Sequence, residues 1–137
     1  MVWGKLFGRQ TEKDIQAYVD TMVILAMADG ELEENEVQDL WGSIALTPRL
    51  KGISDRQIIA VCNEAYKLLM REGVDARLRA IANALPEKSQ RIDAMTMAIS
   101  MSASDGTIEP EEMAILRKMQ DAFGLSDDDI NSIIANI

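Results

Sequence analysis

Apolar residues recur every three or four positions along most of this chain, and no stretch alternates with period two for long enough to make a strand. Reading that period between cap signals predicts seven helices. Thr11 followed by Asp14 opens the first, with Ile15, Val19, Met22, Val23 and Ala26 on one face, and it runs to Asp29-Gly30. The second spans about Glu34 to Ala45, and "TPRLKG" (Thr47 to Gly52) is a loop. Ser54 with Gln57 caps the third, whose face is Ile58, Cys62, Ala65 and Leu69, and Gly73 stops it. The fourth, near Ala76 to Ala84, aligns Leu78, Ile81, Ala82 and Leu85 before Pro86. The fifth covers about Glu87 to Ser104, and the sixth Pro110 to Phe123, where Gly124 ends it. Ser126 with Asp129 opens a seventh with Ile130, Ile133, Ile134 and Ile137 on one stripe. The fold class expected is all-α.

Two of these segments lack a polar side. "TMVILAMA" (Thr21 to Ala28) and "AMTMAISMSA" (Ala94 to Ala103) are apolar nearly all round, which predicts two buried central helices. Each runs directly into Asp-Gly. Aligning Asp29 with Asp105 pairs Gly30 with Gly106, Leu32 with Ile108, Glu33 with Glu109, Glu36 with Glu112 and Leu40 with Leu116. The repeat suggests two halves related by a pseudo-twofold, with both acidic turns facing a common surface.

Composition narrows the class. Nine methionines, many alanines, isoleucines and leucines, only two each of Trp, Tyr and Phe, and three prolines all favour helices. At 137 residues the chain suits one domain, read here as residues 11–137 after an N-terminal extension over 1–10. One cysteine, Cys62, permits no internal disulfide, and no apolar run reaches the ~20 residues of a membrane helix, so a cytoplasmic protein is expected. Cys62 sits on an apolar face and reads as a core residue, as do most methionines. Charge is uneven: residues 1–48 carry 3 basic and 9 acidic groups, 49–91 carry 9 and 5, and 92–137 carry 2 and 9. Acidic ends argue against nucleic acid as a partner, while the basic middle suits an acidic protein surface. The extension "MVWGKLFGR" sets Val2, Trp3, Leu6 and Phe7 beside Lys5 and Arg9, a pattern that docks on a partner or grazes a membrane, although nine residues bury little area.

The two Asp-Gly turns carry the candidate chemistry. With Gly30 at the glycine of an EF-hand loop, Asp29, Glu33 and Glu36 fall on the fifth, ninth and twelfth positions. The first and third, which must supply oxygen, are Leu25 and Met27, and in the later copy Met101 and Ala103. An ordinary EF-hand is excluded. A purely structural account remains open: the glycines end helices, Pro110 suits a first helical position, and Glu36 and Glu112 can close capping boxes. It leaves a surplus of carboxylates, five in residues 29–36 and four in 105–112, which repel one another unless a cation is near. With no histidine, any metal should be a hard one such as calcium, magnesium or manganese. The same absence, with no Gly-rich phosphate loop and no partner for Cys62, makes an enzyme hard to build, and no organic cofactor is expected.

The stretch "RIDAMTMAISMSASDGTIEPEEMAILRKMQDAFGLSDDDI", Arg91 to Ile130, resembles the TerB-like family, which includes tellurite-resistance TerB proteins and the N-terminal part of DjlA. The shared pattern is a buried helix, then "MADGELEENE" or "SASDGTIEPEE", then an apolar helix and "FGLS", and it extends over about residues 11–137. The resemblance implies a seven-helix cytoplasmic domain without catalytic activity, associated with responses to tellurite and other toxic agents. It implies divalent metal bound through the acidic turns, which makes Asp29, Glu33, Glu36, Asp105, Glu109 and Glu112 the candidate ligands. It also implies protein partners, including membrane proteins of the TerC type. The alternative is a metal-free helical adaptor that uses its basic middle segment.

Overall fold

The computed structural model describes residues 12–28, 34–46, 50–103 and 106–137. Among them are seven helices and no strand: α1 (Glu12–Ala26), α2 (Glu34–Ala45), α3 (Asp55–Glu72), α4 (Val74–Ala84), α5 (Lys88–Ala103), α6 (Pro110–Phe123) and α7 (Asp127–Ala135). The all-α class and the helix count read from the pattern hold. The N-terminal extension and the Thr11 cap lie outside the described residues.

Local chemistry explains the boundaries. At α3 the Ser54 hydroxyl accepts the Gln57 N–H at 3.2 Å. At α7 the box is reciprocal: Ser126 Oγ accepts from Asp129 N at 3.1 Å, and Asp129 Oδ2 from Ser126 N at 2.9 Å. Gly73 ends α3 and begins α4 with φ +85°, ψ 167°. Because one glycine serves both helices, α4 starts at Val74, two residues earlier than the pattern suggests. "TPRLKG" is not all surface, since Leu50 is fully buried.

The faces pack as their periods require. α3 buries Ile58, Cys62, Ala65 and Leu69, and α4 buries Leu78, Ile81 and Ala82. α1 is the most enclosed helix: residues 17–25 are all buried, Asp20 and Thr21 included, and α1 touches each of α2 to α6. Thr21 satisfies its hydroxyl by donating to Ala17 O at 2.8 Å. α5 buries Ala94, Met95, Ala98, Ile99 and Ser102, while Ser100 and Ala103 are exposed, so it is covered on one face.

Polar ties join the helices as well as apolar contacts. Trp41 Nε1 of α2 donates to Asn63 Oδ1 of α3 at 3.1 Å. Lys88 at the start of α5 meets Asp129 of α7 at 3.2 Å. Arg91 donates to Leu85 O at 2.7 Å, Ala82 O at 2.8 Å and Phe123 O at 3.2 Å. Those carbonyls close α4 and α6, so one guanidinium caps the negative ends of two helices.

Candidate functional site

The acidic segment between α5 and α6 is described from Gly106 onward. Gly106 holds φ +86°, a conformation that favours glycine, and part-buried Ile108 packs against the core. Glu109 is the N-cap of α6 and Pro110 its first residue. Glu112, third in the helix, accepts the Glu109 N–H on Oε1 at 3.2 Å, the backward half of a capping box. Its Oε2 accepts from Ser102 Oγ at 2.7 Å. Ser102 is buried on α5, so Glu112 also fastens α6 to the helix before the turn.

Of the six candidate metal ligands, Asp29, Glu33 and Asp105 lie outside the described residues, and so does the side chain of Glu36, which stands within α2. Glu109 is exposed, and Glu112 is engaged on both oxygens. Among the described residues no group of three or more Cys, Asp or Glu is placed to hold a metal ion. The described flanks of the turns do lie near one another. Met27 and Ala28, which lead from α1 into Asp29-Gly30, line one hollow with Ile115 of α6. Ile115 stands one helical turn beyond Glu112 and lines that hollow from within α6.

Burial brings together a second charged group that periodicity does not reveal. Asp20 of α1 is 4% exposed and meets Arg77 Nη2 of α4 at 2.6 Å, while Gln16 Nε2 donates to its other oxygen at 2.7 Å. Arg77 Nη1 continues to Glu72 at 3.1 Å. Burial raises the Asp20 carboxyl above its ordinary range, against the lowering pull of Gln16 and Arg77. Burial, and secondarily the Asp20 charge, pushes the Cys62 thiol up to about 12, so Cys62 is an inert core residue. An aspartate inside "IQAYVDTMVILA" was the available signal that a buried partner is needed.

The basic middle is also smaller at the surface than its residue count suggests. Arg77 turns inward to Asp20, and Arg91 is spent on carbonyls. Arg71 pairs with Glu72, and Lys88 with Asp129. Lys51, Arg56, Lys67 and Arg79 stay exposed.

The isoleucine stripe of α7 is only half covered. Ile133 is buried, but Ile134 and Ile137 are 57% and 59% exposed. With Met113 and Leu116 of α6 and Ile99 of α5 they line a groove of about 340 Å³, in which Arg117 and Gln120 are the polar side chains. No helix among the described residues is long and apolar enough to cross a membrane.

Taken together, the described residues form an all-α helical domain, and the sequence places an acidic Asp-Gly segment after α1 and another after α5. The family model for tellurite resistance protein TerB matches residues 15–135, and the chain belongs to that family. Comparison with curated proteins and with solved structures gave no match.

Proposed function

We propose that this TerB-family domain is a non-catalytic cytoplasmic module of a tellurite or toxic-stress response, which binds a divalent cation at its acidic turns and docks onto other proteins, a TerC-type membrane protein among them. The observation that supports the cation half is that Met27 and Ala28, which precede Asp29, line one hollow with Ile115, one helical turn beyond Glu112. Two turns brought together can pool carboxylates that neither could use alone, since calcium takes six to eight oxygens. Asp29, Glu33, Glu36, Asp105 and Glu109 are the ligands this reading draws on. Glu112 would have to share oxygens already bonded to Ser102 and to the Glu109 N–H.

A thermal-shift titration of the full chain with calcium, magnesium, manganese and zinc tests it. A cation at a hundred times its Kd stabilises by about 2.7 kcal/mol. The expected result is a rise in Tm that Asp29→Asn/Asp105→Asn removes. No change with any cation at millimolar concentration overturns it.

A specific observation favours the metal-free adaptor as the second reading. Arg56 and Lys67 are exposed at positions that fall on one face of α3, and Arg71, paired with Glu72, extends that face, a strip suited to an acidic protein surface. It stands if no cation alters stability.

A further inference from the structure

We propose that the groove between α5, α6 and α7 receives an amphipathic helix of a partner protein, one whose apolar stripe is flanked by Lys or Arg. The inference rests on the docking half of the reading above; Glu109 is the one residue it shares with the cation half, and EDTA in the test keeps the two apart. Met113, Ile134 and Ile137, at 38%, 57% and 59% exposed, present an apolar surface with little polar interruption. Along α6 the lining runs Met113, Leu116, Arg117 and Gln120, two helical turns. That length matches anchors at i, i+3 or i+4, and i+7 of an opposing helix.

Charge selects the occupant. Glu109 lies one turn before Met113 on the same face of α6, and Asp121 follows Gln120 at the other end. Asp127 stands beside the groove, because Gln120 Nε2 donates to it at 2.8 Å. Arg117 is the basic residue in the wall, and Lys118 is paired with Asp75. Carboxylates therefore mark both ends of the groove, about 18 Å apart at 1.5 Å per residue. A helix of about twelve residues with cations near both ends would satisfy them. A second copy would bring the same acidic rim against this one in a chain of net charge −9, and like charges oppose that pairing.

The test uses the full chain in EDTA and two fluorescein-labelled fourteen-residue peptides with leucines at i, i+3, i+4 and i+7. One carries lysines on its flanks, the other glutamates. Fluorescence anisotropy should show the lysine peptide binding at least tenfold more tightly. Met113→Asp and Ile134→Asp, both at exposed positions and checked by thermal melts, should each weaken it at least tenfold. NMR shifts should fall on residues 95–103, 113–120 and 130–137. The proposal is overturned if the lysine peptide binds the variants as well as it binds the unaltered chain, if both peptides bind alike, or if neither binds at millimolar concentration. Any of these outcomes leaves docking through α3 intact. Sedimentation showing a dimer that Ile134→Asp dissociates would also overturn it, in favour of a second copy.

Discussion

Replacing Arg77 by methionine should be among the most damaging single changes in this protein. The substitution keeps much of the side-chain volume but removes the 2.6 Å pairing to Asp20, leaving a carboxylate 4% exposed with Gln16 still donating to its other oxygen. A hydrogen bond to a charged group contributes about 1.5–3 kcal/mol, and breaking a buried pair from one side costs about 3–5 kcal/mol, because the survivor stays desolvated. Against a typical total of about 5–15 kcal/mol, that is a large share. Asp20→Asn/Arg77→Met, which removes both charges, should recover most of the loss. The pH dependence has a definite sign. The folded-state pKa of Asp20 is already raised, first by burial, and losing Arg77 raises it further. A carboxyl raised on folding binds its proton more tightly in the folded state, so its contribution is most favourable below the unfolded value and declines as pH rises through the folded one. The Arg77→Met deficit should therefore shrink on acidification. Glu72 acts in the same direction on the difference: its carboxyl is lowered, first by Arg71 and then by Arg77, and the part owed to Arg77 fades from the unaltered protein in acid. Repeating the comparison in Asp20→Asn isolates Asp20. Urea unfolding followed by circular dichroism at pH 7 and pH 5 measures all four proteins. A loss under 1 kcal/mol at pH 7, or a deficit that grows on acidification, would refute the reasoning.

Other outcomes follow from the same geometry. Glu112→Ala in EDTA should lose about 2 kcal/mol, from a missing cap and a buried Ser102 hydroxyl without its acceptor, and Ser102→Ala/Glu112→Ala should regain part of it. An unchanged urea midpoint would show that the carboxylate does not fasten the turn. Gly73→Ala meets no atom within 4 Å at its new Cβ, so its cost of about 1–3 kcal/mol is that of φ +85°, ψ 167°, a backbone region essentially reserved for glycine; a neutral result contradicts this. Cys62 should react with a thiol reagent only as fast as the protein opens, its pKa being pushed up to about 12 in the core. Labelling on mixing at neutral pH would place it elsewhere.

Features encoded within one helical turn were readable in advance, and those joining distant helices were not. The faces of α3 and α4, the Ser54 and Ser126 caps, Pro110 and the Glu112 box all depend on contacts three or four residues apart, where periodicity and side-chain chemistry suffice. The contact of Glu112 with Ser102 crosses a turn, and that of Asp20 with Arg77 spans 57 positions, a pairing no local pattern specifies. Counting charges also misjudged the basic middle, since a count does not distinguish an arginine facing water from Arg77 or Arg91. The α7 stripe shows another limit of periodicity: four isoleucines at helical spacing mark an apolar face but not its coverage, and Ile133 is buried while Ile134 and Ile137 are exposed. The acidic turns were visible as sequence. Glu109 is exposed at the start of α6, and the Glu112 contacts are those of a helix cap and of a tie to α5.

Arg91 gives the bundle a property that apolar packing alone would not. Its three acceptors belong to the ends of α4 and α6, 38 positions apart from Leu85 to Phe123, and it sits at the start of the helix between them in sequence. Helix-turn-helix segments repeated along a chain can fray one after another, as solenoid repeats do. Here, peeling α6 from the bundle strips a cation of one acceptor, and losing α4 strips it of two. Amide exchange at the C-terminal turns of α4 and α6 should therefore report a single opening, with neither half of the chain unravelling on its own.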